Sequence, residues 1–134
     1  MAWYRNVFRV VGIGGVLLMG ALATVTAQTP TKPATPDSLA FFEKNIRPVL
    51  AEKCLSCHGE KSQSASLRLD SRAALLKGGD KGAIVDLTNP EKSHLLEALR
   101  YTGSIKMPPS GKLPAQVVAD FTAWLTMGAP WPPE

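Results

Sequence analysis

Cys54-Leu55-Ser56-Cys57-His58 brings the chain's two cysteines and one of its two histidines into one short run. Two thiols at this spacing can add across the two vinyl groups of a single porphyrin as thioethers. The next residue is then held beneath the metal, where an imidazole nitrogen can bind it. C-x-x-C-H is therefore the signature of covalently attached haem c. A disulfide closing so short a loop would stabilise little, because it removes little entropy from the unfolded chain. The cysteines ask for a chemical role. Two other chemistries compete for the same residues. One is a C-x-x-C thiol–disulfide oxidoreductase, whose motif normally follows a strand and opens a helix, whereas a helical pattern leads into Cys54. The other is a zinc site built from Cys54, Cys57, His58 and His94. It has enough ligands, but the adjacent Cys57 and His58 would struggle to point at one tetrahedral ion.

A haem iron bound by His58 needs a sixth ligand or an open site. Met107 is the leading candidate, in Lys106-Met107-Pro108-Pro109, where prolines hold the backbone extended. A thioether is soft and favours the reduced ion, so Met/His ligation raises the potential. His94 is the alternative sixth ligand and would lower it. Met127 is expected to pack and Met19 lies in the leader. Arg68 and Arg72 are candidates to pair with haem propionates, since guanidinium matches carboxylate geometry. Lysines 53, 61, 77, 81, 106 and 112 flank the motif and the Met107 loop and could steer an acidic partner.

The elements that must position these groups fit into one domain of a 134-residue chain. Residues 1–27 read as a signal peptide: Arg5 and Arg9 without acids, an apolar run from Val10 to Val25, and a small-residue end at Ala27. The apolar run falls short of the ~20 residues that span a hydrocarbon core, so a membrane enters only if this segment is retained. Residues 28–37 read as a Pro/Thr-rich linker, and residues 38–132 as the folded domain. Asp37 or Ser38 can cap a first helix carrying Leu39, Phe42, Ile46 and Val49/Leu50, which Pro48 should kink or restart. Leu67-Arg68-Leu69 alternates like a strand and could pair with 83–87 as a small β-hairpin. Ser71 caps a short helix ending at Gly78-Gly79. Asn89-Pro90 opens a helix with Leu95, Leu96 and Leu99 as its buried stripe. The last helix runs from about Pro114 to Met127, with Val117, Val118, Phe121, Trp124 and Leu125 on one face, and Trp124 could meet Phe42 where the terminal helices cross. The expected fold is mostly α.

Several of these runs together resemble the planctomycete-type cytochrome c domain. They are the stretch from Phe41 through Gly59, Leu67 to Arg72, Leu76 to Gly79, Pro90 to Ser93, Lys106 to Pro109, and Trp124 to Pro132. The resemblance covers about residues 38–132. It implies a class I cytochrome c-like helical fold around one covalent haem c, attached by Cys54 and Cys57, with His58 and Met107 as the axial pair. The chain departs from the pattern at His94, where an aliphatic residue is expected, and at Pro114-Ala115, where a polar cap is expected.

The function expected is transfer of single electrons between redox protein partners outside the cytoplasm, in the periplasm or on the outer face of the inner membrane. The chain's charge of +4 falls to about +2 without Arg5 and Arg9 of the leader, and so mild a charge, most of which two haem propionates would cancel, does not suggest nucleic acid. Alternatives are the haem domain of a larger or partnered oxidoreductase, an open-site haem binding a small gas or peroxide, and the thiol oxidoreductase. No catalytic constellation besides the haem motif is evident, so an electron carrier is expected before an enzyme.

Overall fold

The computed structural model describes residues 33–133; the expected signal peptide lies outside them. The first helical run, α1 (36–58), starts earlier than the Asp37 or Ser38 cap would have it. Thr35 is the cap: its hydroxyl accepts the Ser38 N–H at 3.2 Å, and the Thr35 N–H donates to the Ser38 hydroxyl at 2.9 Å. Pro36 takes the first helical position, where its missing N–H costs nothing.

Pro48 does restart the helix in its first turn, but residues 36–58 stay in one continuous helical run. α1 is α-helical at Pro36–Phe41, π-helical at Phe42–Ile46, α-helical at Arg47–Val49, π-helical at Leu50–Cys54 and α-helical again at Leu55–His58. The wider turns pass the Arg47 N–H to the Phe42 carbonyl and the Leu55 N–H to the Leu50 carbonyl. They also solve a register problem. Phe42, Ile46, Leu50, Cys54 and His58 recur every fourth residue. In an uninterrupted α-helix such a series drifts by about 40° per step. With the two π segments, Phe42, Ile46, Leu50 and His58 are all buried and Cys54 is half-buried. One stripe thus runs from the core to the histidine.

After His58 the chain turns back on itself. Gly59 donates to the Ser62 carbonyl at 2.9 Å, and the Leu69 N–H docks on the His58 carbonyl at 2.8 Å. α2 (Arg72–Lys77) is capped by Ser71, whose hydroxyl accepts the Ala74 N–H at 3.1 Å, and ends at Gly78 with φ 76°. The expected hairpin is absent, and the described residues contain no strand. Both of its stretches spend their polar groups elsewhere: Leu69 on His58, the Ile84 carbonyl on the Leu95 N–H at 3.0 Å, and the Asp86 N–H on the Ser93 hydroxyl at 3.0 Å. The helix expected from Pro90 is divided for the same reason. A 3-10 turn (Pro90–Lys92) stops at Ser93, which is buried as it staples the loop, and α3 (His94–Arg100) follows.

α4 (Ala115–Thr126) packs against the Phe42–Ile46 segment, α3 and the 90–92 turn. Its buried face is Val118, Phe121, Trp124 and Leu125, with Val117 half-buried. Where the first and last helices cross, the Trp124 ring lies 5.8 Å from Phe42 and edge-on to Phe121 at 5.9 Å, and Trp131 stands 4.4 Å from Phe42. Pairs in such tilted and T-shaped arrangements add to the apolar burial itself. The Trp124 indole N–H is satisfied by the Pro130 carbonyl at 2.9 Å. Arg72 reaches across to the chain leaving α4, donating to the Gly128 and Ala129 carbonyls at 3.0 Å each.

Candidate functional site

The last turns of α1 carry the motif. Cys54 ends the second π segment and Leu55–His58 forms the closing α-turn. Gly59 must follow, because a Cβ there would stand 2.5 Å from the Leu55 carbonyl oxygen. The sharp exit it permits lets segment 67–69 close over the His58 backbone.

The side chains divide sharply in environment. His58 is buried, and its Nδ1 is shut off from solvent with no hydrogen-bond partner. A buried imidazole nitrogen left without a partner is costly unless something outside the hydrogen-bond network claims the ring. Cys57 is exposed and Cys54 half-buried, and neither is in a disulfide. Burial pushes the Cys54 thiol up to about 11. A thiol serving as a redox nucleophile needs the opposite shift, commonly provided by a helix N-terminus. Here helix precedes Cys54 as well as following it, so no free N–H groups converge on the sulfur.

Covalent haem is the group this motif implies, and the residues fit it. Both sulfurs are unpaired, they sit within one helical run, and the adjacent imidazole is held in place with its ring uncommitted. A zinc site gains no such support: among the described residues no three His, Cys, Asp or Glu side chains come together as a metal-binding group.

Met107 lies in the loop between α3 and α4 and is half-buried, its N–H donating to the Ala98 carbonyl at 3.1 Å. His94 opens α3 with its side chain 73% exposed, paired through Nδ1 with Glu97 at 3.1 Å. The two arginines considered for propionates are engaged elsewhere. Arg68 forks onto Asp70 at 2.7–3.2 Å, and Arg72 holds the chain after α4. Lys53 is exposed and pairs with Glu52 at 2.7 Å. A shallow cavity of about 310 Å³, lined by Gln63, Ser66, Arg68, Ser71 and Lys77 among others, includes neither the motif nor Met107.

Sequence reasoning did not single out Gly59 or the two π segments. The spacing of four from Phe42 to His58 was the available signal, since a strict fourfold repeat does not suit a 3.6-residue helix.

Residues 54–111 match the model of the family described as Planctomycete cytochrome C, a span that opens on the first cysteine of the motif and takes in Met107. No curated protein and no solved structure matches the chain. The helical architecture, the packing of first helix on last and the fit of the motif to haem agree with that match. The chain therefore carries a planctomycete cytochrome C domain at residues 54–111, a family whose chemistry is haem-based electron transfer.

Proposed function

We propose that the chain is a mono-haem carrier of single electrons working outside the cytoplasm, holding haem c through Cys54 and Cys57 with His58 and Met107 as axial ligands. The observation that carries this reading is the buried imidazole of His58, its Nδ1 unpartnered, beside two unpaired thiols. Bound haem supplies a one-electron ferric/ferrous couple, and a thioether ligand moves that couple towards the reduced ion. The chain's own residues do the rest. The stripe from Phe42 to His58 fixes the imidazole to the core, and the Met107 backbone is pinned to α3. His94, exposed and paired with Glu97, has neither burial nor a free Nδ1 to recommend it as the sixth ligand.

Partners are proposed to be redox proteins with an acidic face, since Lys53, Lys61, Lys77, Lys81, Lys106 and Lys112, which flank the motif and the Met107 loop in the sequence, are all exposed. An exported location follows from thioether attachment to haem, which is completed outside the cytoplasm. Among the described residues no helix is long and apolar enough to cross a membrane.

The test is spectroscopic. Protein expressed with export and haem attachment should keep its colour through acid–acetone extraction, and loss of that colour would sink covalent attachment. The ferric form should show the weak far-red band of sulfur bound to iron. Met107→Ala should abolish that band while leaving the haem attached. A band that survives the substitution removes Met107 from the site.

A further inference from the structure

Tyr101 ends α3 in a left-handed conformation, φ 63° and ψ 28°. A residue with a Cβ is strained there, and helix C-termini commonly give the position to glycine. The backbone task does not call for tyrosine. Its N–H donates to the Ala98 and Glu97 carbonyls, which glycine or asparagine would do with less strain. What tyrosine adds is a half-buried ring whose hydroxyl donates to the Pro108 carbonyl.

Pro108 directly follows Met107. On the other side of the methionine, the Met107 N–H donates to the Ala98 carbonyl at 3.1 Å, the oxygen that also receives the Tyr101 N–H at 3.2 Å. The Pro108 carbonyl takes a second donor, the Gly111 N–H, at 3.2 Å. The backbone on both sides of Met107 is therefore tied to the last turn of α3. Main chain makes one tie and the tyrosine side chain the other. Among the described residues, Tyr101 is thus the side chain whose hydrogen bond couples the end of α3 to the loop bearing the sulfur.

We infer that Tyr101 is a positioning residue for the Met107 thioether, holding the loop so that the sulfur stays at the iron against competing bases. This rests on Met107 being the sixth ligand. Strain at the helix terminus is tolerated because the hydroxyl it delivers restrains the next loop.

The experiment uses the full chain exported with its haem. Tyr101→Phe keeps the ring and removes the hydroxyl; Tyr101→Asn suits the left-handed backbone and removes both ring and hydroxyl. Ferric protein is titrated with imidazole while the far-red sulfur–iron band is followed, and the reduction potential is measured alongside. Tyr101→Phe should bind imidazole up to about tenfold more tightly than the unmodified protein, the factor one net hydrogen bond can provide. Its potential should be lower, as expected when the sulfur ligand is held less firmly. Tyr101→Asn should show at least as large a change, and it decides the matter if the phenylalanine variant does not accumulate. If the unmodified protein lacks the band, the Met107 reading and this inference fall together. If the band is present but imidazole affinity and potential are unchanged in the variants, only the inference falls. A lowered melting temperature with unchanged imidazole affinity would reduce Tyr101 to a helix cap and overturn it too.

Discussion

The two ends of α1 are built on opposite principles. At Phe42 the side chain is fully buried among Trp124, Trp131 and Ile46, and the nearby indole N–H has its carbonyl partner on Pro130. At His58, four helical steps further on, the residue is also buried but its Nδ1 is paired with nothing, and exposed Cys57 sits next to it. Both ends share one stripe, aligned by the two π segments. The aromatic end is complete in its packing and hydrogen bonds, so its residues should govern stability. The histidine end carries the uncommitted polar groups, so its residues should govern chemistry and contribute less to holding the fold. Each substitution below tests that division.

The largest effect is expected at the aromatic junction. Trp124→Ala removes a fully buried indole that touches Phe42, Phe121 and Trp131. Large-to-small changes of this kind cost about 3–5 kcal/mol, a large share of the 5–15 kcal/mol that typically holds a domain. Trp124→Phe keeps aromatic packing but leaves the buried Pro130 carbonyl without its donor, costing about 1–3 kcal/mol. Urea unfolding followed by circular dichroism measures both. A cost below about 1 kcal/mol for the alanine variant would show that the junction is not the anchor.

Arg72→Ala comes next. It removes two donors at 3.0 Å from the carbonyls of Gly128 and Ala129, just where the chain leaves α4 and Ala129 adopts φ 52°. The expected loss is about 1–3 kcal/mol by the same unfolding measurement. Arg72→Lys should recover only part of it, because an ammonium cannot present two parallel donors. If the arginine belonged to the haem site instead, its loss would shift the potential and leave stability nearly untouched.

These two arginines also mark where the sequence stopped being legible. Guanidinium chemistry made Arg68 and Arg72 candidates for propionates, but their actual partners are remote in sequence or set by a local turn. Asp70 is two residues from Arg68; Ala129 is 57 from Arg72. What could be read was local or periodic: C-x-x-C-H, the Ser71 cap, the α4 stripe and the meeting of Trp124 with Phe42. What could not be read depended on where backbone groups found partners. Leu67-Arg68-Leu69 alternates as a strand does, yet Leu69 donates to His58 and no neighbouring strand forms. Tyr101 gives no sequence signal as a left-handed helix end, because that position is commonly given to glycine.

A smaller effect should appear in acid. The Arg68 guanidinium hydrogen-bonded to Asp70 holds its carboxyl below the usual range, with partial burial pulling the other way. Because the folded value is the lower one, the stabilisation is fully present above the unfolded carboxyl's pKa, about 3.9. It is lost as pH falls through the folded value. Asp70→Asn should therefore flatten the acid limb of a stability–pH curve between about pH 5 and 2. It should do so only in part, since Asp86 is also held low by the Thr88 hydroxyl and the Asn89 N–H, and Glu91 by Arg100. An unchanged acid limb would show that the Arg68–Asp70 fork contributes nothing measurable.

The smallest effect is expected at His94, and it is the sharpest test of the division. Its side chain is 73% exposed, and its polar contact to Glu97 at 3.1 Å joins two solvent-facing groups three residues apart on α3. An exposed pair of this kind is worth about 0–0.5 kcal/mol. Leu96 and Leu99, on the buried side of α3, secure the helix whether or not the histidine is there. His94→Ala should then leave unfolding, the far-red sulfur–iron band and the potential within error of the unmodified protein. His58→Ala should abolish the band because it removes the imidazole proposed to hold the iron. The two histidines differ in burial and in partner, and the difference assigns chemistry to only one of them. Loss of the band in His94→Ala would reverse that assignment, because an exposed residue tied to Glu97 could affect the iron only if α3 rearranged to bring it there.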